Sequence, residues 1–183
     1  KEFKNFFLSS LGLKFLQVYH STSFQVDSSV YVCAVDINSS TLVGFAHGTS
    51  CAKGFNQRIV LENKLEYLKI SMFLLISKPK AIIRLFTNMT KRIKAVDDGR
   101  YSELYTIAVA EACQGFGIGI ELMRQFELEL ANRGAEIITL TTDSANNDKA
   151  LHFYKKLGYS IFYEFVTRQG RSMYRLRKSF EVN

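Results

Sequence analysis

The chain has little of what staples, links or spans. Its three cysteines, Cys33, Cys51 and Cys113, are an odd number without a CxxC spacing. That excludes a disulfide framework and a zinc site, leaves no metal-ligand set, and suits a reducing compartment, read here as the cytoplasm. There is one proline, Pro79, with no low-complexity tract and no internal repeat, so nothing reads as an interdomain linker. The longest apolar run, residues 70–76, is far too short to cross a bilayer, which excludes stable membrane insertion. No secretory leader is visible, and the opening at Lys1 without a methionine reads as a missing N-terminal piece. Helix-turn-helix, zinc-finger and RNP-type patterns are absent, so no specific nucleic-acid partner is expected.

What is present is core-forming. The 183 residues fit one domain, 1–183, and a hydrophobic fraction of 47% with 13% aromatics supplies a packed interior. The net charge of +7 suits an anionic partner: nucleic acid, a lipid headgroup or a phosphorylated cofactor. Charge alone does not choose among them.

Apolar residues at broken helical spacing over 3–19 predict two short helices. Residues 30–37 and 41–49 read as strands of a hairpin turned at Asn38-Ser39-Ser40. Leu61, Leu65, Leu68, Met72, Leu75 and Ile76 mark one amphipathic helix. Pro79 ends it or opens another that carries Ile82, Ile83, Leu85, Phe86, Met89 and Ile93. From Ser102 the pattern alternates regularly. Strand 103–109 leads into a glycine-rich loop, and a helix over 119–133, built on Ile120, Met123, Phe126 and Leu130, is capped by Gly134. Strand 136–142, a helix over 147–157 stopped by Gly158, and strands 159–167 and 173–177 follow.

The chemistry concentrates in Gln114-Gly115-Phe116-Gly117-Ile118-Gly119, between a strand and a helix. Glycines let backbone N–H groups approach a ligand, and a helix N-terminus adds about half a positive charge, a pairing suited to a pyrophosphate. The spacing is GxGxG rather than the dinucleotide GxGxxG, and no GK[ST] follows as in a Walker A loop. A glycine-rich turn that merely joins strand to helix fits the glycines equally well.

This loop resembles the Q/R-x-x-G-x-G/A motif of the GCN5-related N-acetyltransferases (GNAT). The preceding Leu104-Tyr105-Thr106-Ile107-Ala108-Val109, the later Asn147-Asp148-Lys149-Ala150 with Phe153-Tyr154, and Lys156-Leu157-Gly158-Tyr159 resemble that family in the same order. The likeness is close over 102–160 and loose before it, where the family's first strand is not visible. It implies an α/β (α+β) fold, with a mixed, mostly antiparallel central sheet flanked by helices. A helical insertion over 58–94 would precede the central strand, and 102–160 would form the acetyl-CoA-binding core. It also implies direct acetyl transfer from acetyl-CoA, as cosubstrate, to an amine.

By the resemblance, the backbone of Ile107, Ala108 and Val109 holds the acetyl and pantetheine end, with an N–H toward the thioester oxygen. The loop Gln114, Gly115, Phe116, Gly117, Ile118 and Gly119 holds the pyrophosphate, and Asn147 contacts the cofactor. Asn146 is an adjacent alternative for that contact, and either asparagine could instead cap the helix. Tyr154 matches the general acid that protonates the departing sulfur, and a packed helix aromatic is its other reading. Glu103 is the candidate general base, its pKa raised by burial in a cleft. A strand glutamate paired with a Lys or Arg is the equal alternative. His47 is a weaker base candidate, His152 an ordinary helix residue, and Cys113 a small loop residue.

The basic insertion reads as cover for a phosphorylated acceptor met by Arg84, Lys91 and Arg92, as a membrane-surface helix, or as a solvated face over ordinary core. The acceptor is expected to be a small-molecule amine, an amino-sugar nucleotide being one candidate. A homodimer is left open. The alternative to an enzyme is a module that binds CoA, nucleic acid or a membrane surface without catalysis.

Overall fold

The computed structural model describes residues 12–77, 101–167 and 170–180. They fall into two compact units, one of residues 12–29 and 53–77, the other of residues 30–52 and 101–180.

The first unit holds three helices, α1 (Leu13–Ser23), α2 (Phe55–Glu62) and α3 (Lys64–Ser77). Helix α1 runs past the expected end at Tyr19. Ser21, Thr22 and Ser23 donate back to the carbonyls of Val18 and His20, which satisfies the last turn. Thr22 and the Tyr67 hydroxyl share a buried hydrogen bond of 2.9 Å, and the Phe15 ring meets Tyr67 edge-on. The single helix expected over 61–76 is two helices. Asn63 leaves helical geometry, with φ −141° and ψ 53°, and α3 restarts behind it. The apolar stripe expected to face inward, Leu61, Leu65, Leu68 and Met72, is exposed, while Phe55, Ile59, Tyr67 and Ile70 are buried. The segment is apolar on two sides, and its pattern does not say which side is inside. The rest of the 58–94 insertion, with Pro79 and the helix expected beyond it, lies outside the described residues.

The second unit is a six-stranded sheet with two helices. Its strands are β1 (Ser29–Val35), β2 (Leu42–Thr49), β3 (Ser102–Val109), β4 (Ile137–Asp143), β5 (Ser160–Val166) and β6 (Ser172–Ser179), in the order β1-β2-β3-β4-β6-β5. β1 turns into β2 at Asp36, whose carboxylate accepts from the amides of Asn38 and Ser39 and from the Ser39 hydroxyl. β3 pairs with β4 in parallel, and β2–β3, β4–β6 and β5–β6 are antiparallel. The sheet is thus mixed and mostly antiparallel, as the resemblance implies.

Helix α4 (Ile118–Asn132) buries Leu122, Met123, Phe126 and Leu130 against Leu104, Ile138, Leu140 and Leu176. Full burial of each such side chain stabilises the fold by about 1.5–3 kcal/mol. Leu122, rather than the expected Ile120, completes this stripe; Ile120 is 43% exposed. Gly44, Ala46 and Gly48 on β2 keep this face of the sheet low. A Cβ on Gly48 would stand 2.1 Å from the Glu103 carbonyl oxygen and 2.6 Å from the Phe126 ring.

Helix α5 (Asp148–Lys156) ends at Gly158, whose φ of +88° lets the Tyr159 amide reach back to the Tyr154 carbonyl. Tyr159 is thereby buried beside Tyr154, and its hydroxyl donates to Glu127 on α4 (2.9 Å). Lys178 on β6 holds the other oxygen of that carboxylate (2.5 Å). The Lys156-Leu157-Gly158-Tyr159 segment therefore joins α5, α4 and β6.

Candidate active site

The site begins as an irregularity in β3. Thr106 sits opposite His47 and Leu104 opposite Gly48, so Tyr105 is an extra residue, a β-bulge. A bulge bends its strand. Here β3 leaves β4 at the same point, since parallel pairing covers only Ser102, Glu103 and Leu104 against Ile138, Thr139 and Leu140. Beyond it β3 stays with β2 up to Val109, and β4 stays with β6 up to Asp143. The sheet is open between them.

Backbone groups of a strand alternate sides. Ala110 N–H donates to the Val43 carbonyl on β2 (2.8 Å), so the amides of Val109 and Ile107 turn toward the opening. The Val109 carbonyl accepts from the Gln114 side-chain amide (3.2 Å), which pins the start of the loop to the end of β3. A short 3-10 turn, Glu111–Cys113, lies between them and places Cys113 within the connection.

The loop then needs its glycines for two reasons. Gly115 and Gly117 have φ of +84° and +81°, a region that costs other residues about 1–2 kcal/mol. A Cβ at either would meet nothing within 4 Å, so the space before the loop is open to a ligand. Gly119 instead packs on Phe153 of α5. Gly117 caps α4, and the amides of residues 115–119 donate to no backbone carbonyl among the described residues. Five successive donors at a helix N-terminus suit an anion. Phe116, 79% exposed, projects from the loop.

Asn147 lies at the far side of the opening, at the N-cap of α5. Its side chain does not cap the helix; it donates to the Thr142 hydroxyl (2.6 Å) and the Asp143 carbonyl (3.0 Å), which ties α5 to the end of β4. Asn146 before it has φ +53°. Tyr154 is buried in the core cluster, 5.1 Å from the Phe153 ring and 5.8 Å from Tyr159. Burial pushes its hydroxyl up to about 12, so it stays protonated across the neutral range.

Glu103 lies on the other face of the sheet. Leu104 points into the core beside α4, so Glu103 points away from it, toward Arg175 of β6. The two form an ion pair, and Arg175 also donates to the Tyr101 hydroxyl (2.8 Å). Burial pulls the Arg175 guanidinium down, but the Glu103 carboxylate, with Tyr101 and Tyr163, more than offsets it and holds the group above its ordinary range. The carboxylate paired with a basic residue is thus the arrangement seen. Glu103 and Tyr154 are not side by side; Tyr154 belongs to the core face of the sheet and Glu103 to the opposite face. His47 is buried on the Glu103 face, stacked on Tyr31 (4.1 Å between ring centres) and tilted against Tyr105. His152 is exposed. Arg84, Lys91 and Arg92 lie outside the described residues.

The motif reading missed the residues beside Glu103. Arg175 and Arg177 sit two apart on β6, and Arg171 at the β5–β6 turn makes a bidentate pair with Asp143 at the end of β4. Basic residues at alternate positions of a strand are a signal of a polar sheet face, and that signal was available in Arg175 and Arg177.

A family model described as "Acetyltransferase (GNAT) family" matches residues 5–159. Mycothiol acetyltransferase from Corynebacterium efficiens is 37% identical over 59 residues, which are 32% of this chain and 20% of that protein. The match thus spans about a fifth of that relative. Among solved structures, aminoglycoside 6'-acetyltransferase type Ii aligns with a TM-score of 0.57 at 18% identity over 97% of this chain and 84% of its own. A Bacillus anthracis protein assigned as a streptothricin acetyltransferase, in complex with acetyl coenzyme A, aligns with a TM-score of 0.54 at 14% identity, over 85% of this chain and 64% of its own.

Proposed function

The chain belongs to the GNAT acetyltransferase family, and from that premise we propose that it transfers the acetyl group of acetyl-CoA directly to the amine of a small molecule. The observation that carries this reading is the opening between β3 and β4, with the outward amides of residues 115–119 at its end. We take residues 1–183 as one acetyltransferase domain. The exposed thiols of Cys33 and Cys51 suit a reducing, cytoplasmic setting. Among the described residues no helix is long and apolar enough to cross a membrane.

In this reading the loop amides hold the pyrophosphate, while the backbone of Ile107, Ala108 and Val109 orients the acyl end. Asn147 holds the far wall of the opening through Thr142 and Asp143. When bound, acetyl-CoA supplies the thioester whose acetyl carbon is the electrophile. Although Glu103 is paired with a basic residue, as its alternative reading has it, we assign its carboxylate, oriented by Arg175, to take the proton of the acceptor ammonium from one face. Tyr154 Oη, protonated because it is buried, delivers a proton to the leaving sulfur from the other. An amino-sugar nucleotide remains one candidate acceptor within this class.

Calorimetry of acetyl-CoA binding to the parent and to a Gly117→Glu variant tests the assignment. A carboxylate at the loop opposes the phosphates and a side chain there is strained. Binding by the parent and its loss in a folded variant are expected. No binding by the folded parent would overturn the reading and favour a module that binds nucleic acid or a membrane surface.

A further inference from the structure

Three guanidinium groups lie on or beside β6, those of Arg175 and Arg177 on its face away from the core and that of Arg171 at the turn before it, and two of the three are matched. Arg171 is paired with Asp143, and Arg175 with Glu103. Arg177, on the same side as Arg175 because Leu176 between them is buried, has no carboxylate partner among the described residues. Its guanidinium lies 5.4 Å over the Phe162 ring, and its Nε, like that of Arg175, is buried without a hydrogen-bond acceptor; of the two, only Arg177 also lacks a carboxylate partner among the described residues. A buried donor left in this state calls for a missing acceptor. The net positive charge of the three-arginine row, and the planar edge of a guanidinium, select an oxyanion over a neutral group.

The position is specific. Thr139 pairs with Glu103 on one side and Arg177 on the other, so the proposed base and the unmatched arginine stand on one line across the sheet, two strands apart. Strand spacing places their backbones on the order of 10 Å from one another. Both lie at the level where β3 and β4 are about to part.

We propose that Arg177 is the anion-binding residue of the acceptor subsite, and that the acceptor is an amine carrying a phosphate or carboxylate on the order of 10 Å or less from its nitrogen. The proposal rests on the acetyltransferase reading and adds the chemistry of the acceptor's other end. The amine sits near Glu103, and the anionic end reaches along the Thr139 line to Arg177, whose guanidinium is held over the Phe162 ring. The bulge in β5 between Ile161 and Tyr163 sets Phe162 in that place.

The test uses two matched probe pairs, glucosamine with glucosamine 6-phosphate and hexylamine with 6-aminohexanoate. Binding to the CoA-saturated full chain is measured by calorimetry for the parent, Arg177→Gln and Arg177→Lys, with acetyl-CoA affinity and thermal melting measured on each. An anionic probe is expected to bind the parent about tenfold or more tightly than its neutral counterpart. Arg177→Gln should erase that preference and Arg177→Lys keep part of it, with acetyl-CoA affinity unchanged in both. The pair that shows the preference identifies phosphate or carboxylate. No preference in the parent, no binding of any probe, or a preference undiminished in Arg177→Gln overturns the proposal. If acetyl-CoA binds the parent while these results fail, only the subsite falls; if acetyl-CoA does not bind, the acetyltransferase reading falls as well.

Discussion

Tyr154 serves the core and the chemistry at once, and its burial links the two. A tyrosine whose folded pKa stands near 12, above the ordinary value of 10, favours the fold fully below pH 10. That contribution is lost as pH rises from 10 to 12, on the order of 2–3 kcal/mol at roughly 1.4 kcal/mol per pKa unit. Tyr154→Phe should therefore flatten the fall in stability between pH 10 and 12 in denaturant titrations, although Tyr159, raised further by burial and Glu127, keeps its own share. The same variant should lower kcat by about 10²–10⁴-fold while leaving acetyl-CoA affinity nearly unchanged, if the hydroxyl is the acid. An unaltered kcat would assign the ring to packing alone. At this scale the glycines of the loop were legible, because a positive φ at Gly115 and Gly117 is a demand that sequence states directly. The partner of Glu103 was not. Arg175 is 72 residues away, and only the strand order brings it near.

Among the elements, the bulged β2–β3 pair carries the most consequence. Gly48 lies against both the Phe126 ring of α4 and the Glu103 carbonyl of β3, and even one methyl there cannot fit without moving backbone. Gly48→Ala should cost about 3 kcal/mol or more and be read as a lower melting temperature. Gly117→Ala, which meets open space, should cost only about 1–2 kcal/mol from its backbone strain. Equal costs for the two would show that the β2 contact gives way more easily than its geometry implies. Strands and caps in this half of the chain could be read closely, since Gly134 and Gly158 mark helix ends and residues 137–143 alternate little. The α2–α3 segment was harder. Ile59, Tyr67 and Ile70 are as apolar in pattern as Leu61, Leu65 and Leu68, and the break at Asn63 has no proline or glycine to announce it.

Across the whole molecule, Glu127 is the tie between helix, sheet and the Lys156–Tyr159 segment. Glu127→Ala would leave Lys178, 25% exposed, and the Tyr159 hydroxyl without their acceptor. A loss of about 1–3 kcal/mol is expected in chemical denaturation. Adding Lys178→Met should recover part of it, because a partly buried charge is then no longer stranded. No such network was foreseeable from spacing, since its three members come from α4, β6 and the end of α5. The parting of β3 from β4 has a last consequence for the molecule as a whole. A sheet that stops pairing midway leaves the Ile107 and Val109 amides to exchange with solvent deuterium, so the free protein should label there within a strand otherwise paired to β2. An occupied cleft should then behave as a temporary seventh strand. Protection would rise at those two amides, and the melting temperature would climb with the logarithm of cosubstrate concentration.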